Sequence, residues 1–316
     1  MSSDRRGGRR AATILMLALV PTVAAAEMAP ERFSGERAME WLHAQCDLGP
    51  RPPGSAALEE LRQMIERHAA DLGLRCQRVC FEASDPLSGQ PLEICNLIVS
   101  TVPTDGARLW LGAHYDTRPI ADRDPDPANR DQPILGANDG ASGVAVLLHL
   151  MELLAESPPE RGVDLLFFDG EDSGPAGDPD GFCLGSRHLA STWQDFSSPL
   201  AAGDPRALVL LDMVGKRGLS IGMEAYSSRF APELTLAVFD RAMQLGLSAF
   251  EARPATPVYD DHVPFLEAGL PAVNLIDFDY PQWHTVEDTP EQCDPAALEQ
   301  VGRLVVSLVY DRMPGF

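Results

Sequence analysis

Positive charge is scarce in this chain. Its 316 residues carry 25 Lys and Arg against 47 Asp and Glu, a formal net charge of −22. Such a surface repels phosphate backbones and anionic headgroups, which argues against nucleic acid and anionic membranes as partners. Internal repeats and low-complexity tracts are also missing. Beyond the first 26 residues, no apolar run approaches the ~20 residues that a transmembrane helix needs. The six cysteines (Cys46, Cys76, Cys80, Cys95, Cys183 and Cys293) include no CxxC pair, so a cysteine-ligated zinc site is not expected.

Residues 1–26 have the layout of a secretory signal. Arg5, Arg6, Arg9 and Arg10 precede an apolar run from Ala11 to Val23, and Ala24-Ala25-Ala26 offers a small-residue cleavage site. The run is short for a bilayer span, a retained anchor being the competing reading. The Arg9-Arg10 pair leaves a twin-arginine export route open. The chain is expected to be exported, periplasmic or secreted, with residues 27–316 forming one domain. Losing four arginines and Asp4 takes the mature net charge to about −25. Export permits disulfides. LRCQRVCFEA reads as a strand, which separates Cys76 and Cys80 by roughly 13 Å. Disulfide Cα atoms sit at ~4.4–6.8 Å, so these two should not pair. Mostly free buried thiols and two or three bridges both remain open.

Amphipathic periodicity predicts helices from about Arg37 to Gln45 and from Ser55 to Leu72. ICNLIVST and RLWLGAHYD follow as strands. DTRPIADRDPDPANRDQPIL is a long connection, a length that is usually functional or disordered. GANDGASGVAVLLHLMELLAES is a glycine-rich turn entering an apolar helix that stops before Pro158. VDLLFFDGED, ALVLLDMVG and PAVNLIDF are nearly continuous apolar strands, the pattern of parallel strands buried on both faces. Helices near Pro232–Leu245 and Pro295–Tyr310 complete the chain. The alternation predicts an α/β fold: a single-domain α/β/α sandwich around a mixed, mostly parallel central sheet.

Six residues of one ligand alphabet punctuate these segments, each at the end of a strand-like run: His114, Asp139, Glu171, Asp172, Asp212 and His284. Imidazole and carboxylate suit divalent zinc, and a spare carboxylate is a ready general base. Singly, Asp116, Asp139 or Asp212 reads as a turn or cap residue, His114 as a structural histidine, and Glu171-Asp172 as solvated loop carboxylates. Jointly they share one chemistry and one edge of the sheet, where ligands bind in open α/β folds.

HYD, GANDGASGVAVLLHLMELL, FFDGED, LGSRHLA, LLDMVG, DDHVPFLEAGLPAV and WHTVED, in this order, resemble the zinc-dependent exopeptidase superfamily. It includes the co-catalytic zinc aminopeptidases and the animal-type glutaminyl cyclases. Trp283-His284-Thr285 and Asp260-Asp261-His262 are similar to the cyclase branch, as is the spacing from Glu171-Asp172 to Leu184-Gly185-Ser186-Arg187. The resemblance implies a glutaminyl-peptide cyclotransferase, probing peptide or protein N-termini as a monomer and turning N-terminal glutaminyl residues into pyroglutamate. It implies one zinc held by Asp139, Asp172 and His284, with Glu171 as proton carrier. Asp212 and Asp260 would orient the amine, and Trp283 would wall the pocket.

The chain also departs from that branch. Asp172 replaces the second glutamate of the usual pair, Ala113 replaces a disulfide cysteine, and SGPAGDPDGFC is expected to lack the aromatic that packs on substrate, its position falling at Gly177. The alternative is a two-zinc aminopeptidase, in which His114 and Asp212 hold a second metal bridged by Asp139. A third reading is a catalytically silent, partner-binding domain on the same fold; the retained Glu171 and full ligand set argue against it.

Overall fold

Serine caps start the first two helices. Ser34 accepts from the Arg37 amide ahead of α1 (Gly35–Cys46), and Ser55 accepts from Leu58 ahead of α2 (Ala56–Asp71). The computed structural model describes residues 29–101, 106–195 and 203–311, so the signal-like segment lies outside the described residues. A hairpin of β1 (Arg75–Ser84) and β2 (Pro91–Ser100) leads into β3 (Ala107–His114). Next come α3 (Ala141–Glu156), β4 (Gly162–Phe168), α4 (Leu184–Thr192) and β5 (Asp204–Asp212). The remainder is β6 (Ile221–Met223), α5 (Ala225–Phe230), α6 (Pro232–Gln244), β7 (Phe250–Pro254), α7 (His262–Glu267), β8 (Ala272–Ile276) and α8 (Pro295–Tyr310).

The main sheet has six strands in the order β1-β2-β4-β3-β5-β8. β4, β3, β5 and β8 run parallel, while β1 and β2 are antiparallel additions at one edge. The sheet is therefore mixed and mostly parallel, as expected. The pleat divides the core. Leu109, Leu111, Val209 and Leu211 face one apolar layer, and Trp110, Leu208 and Leu210 face the other. Helices α1, α3 and α8 pack together on one side, and α4 with α7 on the other. No helix among the described residues is long and apolar enough to cross a membrane.

β3 is the switch point of this sheet. The chain leaves it through α3 to β4 on one side, then crosses through α4 to β5 on the other. The carboxyl ends of three neighbouring strands thus open onto one crevice, the usual ligand position in such sheets. α3 can lie close because Gly143 has no side chain; a Cβ there would sit 2.2 Å from the Leu211 carbonyl oxygen.

Of the six punctuating residues, His114 ends β3, Asp212 ends β5, and Glu171-Asp172 follow β4 closely. Asp139 and His284 correct the expectation that all six end strands. Asp139 precedes α3, and His284 lies in the connection between β8 and α8. Loops bring both back to the crevice. Asp139 also does not cap α3, whose N-cap is Gly140 without a side-chain bond.

Cys80 and Cys95 stand opposite each other in the β1–β2 register and form a disulfide. Cys76 is not its partner, as the strand geometry requires; Cys46, Cys76, Cys183 and Cys293 are free. The bridge closes a loop of sequence separation 15. Loop-closure entropy gives such a bridge about 3 kcal/mol. Replacing both cysteines with alanine should lower the melting temperature by several degrees, read from thermal melts against native protein. An unchanged melting temperature would show that this hairpin is constrained without the bridge.

Candidate functional site

Two buried aspartates shape the crevice before any ligand is considered. Asp116, just past β3, accepts the Glu171 amide at 3.1 Å and the Asp172 amide at 3.2 Å, one on each oxygen. Asp288 repeats the device. It accepts the Asn138 amide at 2.9 Å, the Asp139 amide at 3.1 Å and the Tyr280 hydroxyl at 2.6 Å. Each clamp ties two successive N–H groups to one carboxylate, which fixes the direction of the side chains that follow. Sequence reading treats Asp116 as a turn residue and does not single out Asp288; both look like ordinary loop aspartates until the contacts are seen.

The clamped residues converge. His284 Nε2 lies 3.2 Å from Asp172 Oδ1 and 3.7 Å from Asp139 Oδ2. Tetrahedral zinc with bonds of about 2.0–2.1 Å separates its ligand atoms by about 3.3 Å, so this trio fits. Asp139 Oδ2 and Asp172 Oδ2 are buried and without a hydrogen-bond partner, as carboxylates awaiting a cation are. A second trio shares Asp139 through its other oxygen. His114 Nε2 stands 3.3 Å from Asp139 Oδ1 and 3.1 Å from Asp212 Oδ1.

Electrostatics match this geometry. Burial, with Asp172 and Asp212 nearby, raises the Asp139 pKa above the usual carboxylate range. Burial pushes Glu171 well up, the field of His114 opposes this, and Asp172, Asp260 and Asp261 add to it. Burial disfavours a charged His284, yet Asp172 and Asp122 hold its imidazolium and bring its pKa up to about 9. Crowded carboxylates of this kind call for a proton or a cation among them.

A cavity of about 340 Å³ opens over these groups, within the range of small-ligand sites. Glu171, Asp212, Asp260 and Trp283 all line it. The Trp283 ring centroid is 3.7 Å from that of His284, and Phe278 meets Trp283 edge-on at 4.8 Å. Asp260 is buried, accepting from Asn274 Nδ2 at 2.6 Å and from the Asp261 amide at 2.6 Å. Gly177 borders the cavity, but so does Phe182 five residues on. Gly177 thus brings no side chain to the wall, in line with the expectation for that position, and the segment's phenyl ring enters from its end at Phe182.

The long connection after β3 is ordered and contributes directly. Its Arg118 donates to Asp172 Oδ1 at 2.8 Å, and its Asp122 oxygen is 3.4 Å from His284 Nδ1. Its length alone could have flagged it; which residues matter could not be read. Among the described residues, three non-glycine residues adopt left-handed backbone, Cys183, Met213 and His284, with φ of 57°, 50° and 56°. Cys183 donates its thiol to Glu171 Oε1 at 3.4 Å, while Met213 and His284 line the cavity. Such conformations collect where a fold over-determines a functional site.

Residues 96–309 match the model of "Peptidase family M28". The chain is 28% identical over 290 residues to the glutaminyl-peptide cyclotransferase of Bos taurus, covering 83% of this chain and 77% of that one. Its fold is similar to the crystal structure of Porphyromonas gingivalis glutaminyl cyclase, with TM-score 0.81, 33% identity, and coverage of 87% and 96%. It is similar also to a leucine aminopeptidase precursor from Bacteroides thetaiotaomicron VPI-5482, with TM-score 0.84, 30% identity, and coverage of 92% and 100%.

Proposed function

The chain belongs to peptidase family M28, and we propose that it is a zinc-dependent glutaminyl-peptide cyclotransferase, converting N-terminal glutaminyl residues to pyroglutamate with loss of ammonia. The observation that carries this reading is the shared lining of one cavity by Glu171, Asp212, Asp260 and Trp283. Three carboxylates there can take hydrogen bonds from an α-amine, and the indole closes one wall.

Asp139, Asp172 and His284 would hold the zinc, which when bound supplies Lewis-acid polarisation of the γ-carboxamide carbonyl. Asp212 and Asp260 orient the amine. Glu171 accepts a proton from the amine nitrogen as its bond to the carboxamide carbonyl carbon forms, then returns one to the departing amide nitrogen, which leaves as ammonia. Amine and carbonyl already belong to one residue, so no separate nucleophile is required and the cavity chiefly enforces proximity. Trp283 and Phe182 narrow the space left for water.

The reading includes export as a monomer. The signal-like layout of residues 1–26 supports export, and so does the Cys80–Cys95 disulfide, a bond that persists in oxidising compartments. A second reading, the two-zinc aminopeptidase, is favoured by the His114, Asp139 and Asp212 trio.

Two substrates separate them. Purified mature protein is given an N-terminal glutaminyl peptide, followed by ammonia release, and a leucyl anilide, followed by hydrolysis. Ammonia release that a chelator abolishes, one zinc per chain and little anilide turnover are the expected results. Two tightly held zincs with rapid anilide hydrolysis would establish the aminopeptidase instead.

A further inference from the structure

Arg118 has no route to solvent. It is fully buried, and its guanidinium makes three different attachments within the site. Nη1 donates to Asp172 Oδ1 at 2.8 Å and to the Asp172 carbonyl oxygen at 3.3 Å. On its other side, Nε and Nη2 fork onto the two oxygens of Asp122 at 2.7 and 3.1 Å. Asp122 Oδ1 in turn lies 3.4 Å from His284 Nδ1, the ring nitrogen opposite the one that faces Asp139 and Asp172. The guanidinium carbon stands over the Phe182 ring, 5.4 Å from its centroid.

We propose that Arg118 is a positioning residue that ties Asp172 and His284 to the Phe182 wall of the substrate cavity through one rigid guanidinium. The argument rests on the ligand set proposed above. Asp172 has a shorter stem than a glutamate, so its carboxylate depends more on what pins it; Arg118 grips both that carboxylate and its own main-chain carbonyl. The same ion fixes Asp122, which orients the His284 ring as second-layer carboxylates orient metal-binding imidazoles. Cation–π attraction then sets Phe182 against the same plane. A lysine cannot take over these contacts, because its ammonium offers a point charge where two bidentate-like contacts and a stacking face are needed.

The sign of the metal effect tells positioning from charge. A buried cation beside a metal site repels the metal, so simply deleting the charge would tighten zinc. If Arg118 positions the ligands, its loss weakens zinc instead. Zinc affinity is measured by competition with a chromophoric chelator on folded holoenzyme, alongside KM and kcat on whichever substrate the native protein turns over. Arg118→Gln and Arg118→Lys should each weaken zinc about 10–100-fold, the usual cost of an outer partner, and each should raise KM. Asp122→Asn should weaken zinc and leave KM close to native. Phe182→Leu should raise KM with zinc affinity unchanged.

The lysine variant keeps the charge and serves if the glutamine variant does not fold. Tighter or unchanged zinc in the Arg118 variants, or a change in zinc affinity without a change in KM, would overturn the link. A native protein that binds no zinc would instead overturn the ligand set itself.

Discussion

Glu171→Gln lowers turnover of the glutaminyl peptide by about 10²–10⁴-fold, the usual contribution of a general acid–base group. The substitution is nearly isosteric, and the proposed metal trio does not include Glu171. Its main-chain amide is held by Asp116 whatever the side chain carries. Zinc content, melting temperature and KM should therefore stay close to native while kcat falls. The amide can neither take the proton of the attacking amine nor return it to the leaving nitrogen. Stopped assays with paired metal analysis decide the matter. A kcat within about threefold of native would remove Glu171 from the chemistry and revive the reading of this chain as a binding domain.

Asp164→Ala is the substitution expected to cost most in stability, about 3–5 kcal/mol, because it removes one partner of a buried ion pair with Arg108. Asp164 sits near the start of β4, between its neighbours β2 and β3. It accepts from Ser100 Oγ at 2.5 Å, Arg108 Nη2 at 2.6 Å and Trp110 Nε1 at 2.9 Å, all buried. One carboxylate thereby satisfies polar groups from the two neighbouring strands, in a layer otherwise made of aromatic and aliphatic side chains. At a few degrees per kcal/mol, the melting temperature should fall by roughly 10 °C. The double change Asp164→Leu with Arg108→Met should recover much of the loss, since apolar side chains of similar volume then replace the whole ion pair. Calorimetry of the three proteins checks this. A loss below about 1 kcal/mol for Asp164→Ala would mean that Arg108 is held well enough by its other contacts.

How much of this was legible in the sequence depends on the range of each signal. β4 reads as a central strand because all seven of its residues are buried, which demands a nearly continuous apolar run, broken here only by the paired Asp164. α8 runs over the expected Pro295–Tyr310, with Pro295 as its first helical position; its cap by Asp294 is seen only in the structure. α5 and α7, of six residues each, carry too little periodicity to be seen; contacts with α6, β5 and β8 hold them. The partner of Cys80 depends on hairpin register, and the seating of β2 beside β4 rather than β3 depends on the whole sheet. At the site, the residue types were readable because zinc chemistry restricts them. The aspartates acting through backbone amides were not, since a clamp and a turn use the same letter. Phe182 escaped for a related reason: a residue five positions along reaches the wall where a local alignment expects Gly177.

The crowd of carboxylates under the cavity has a consequence for folding itself. Twelve acidic side chains are buried among the described residues against four buried arginines, a surplus of eight potential negative charges. Hydrogen bonds and raised pKa values relieve part of this cost, and a divalent ion bound in the crevice relieves more. Such an ion is absent from the unfolded chain's preferences, so binding and folding become one equilibrium, shifted by the logarithm of free ion over dissociation constant. With the proposed zinc as that ion, the resistance of this protein to heat would be a property of its surroundings as well as its sequence, rising and falling with the supply of that metal.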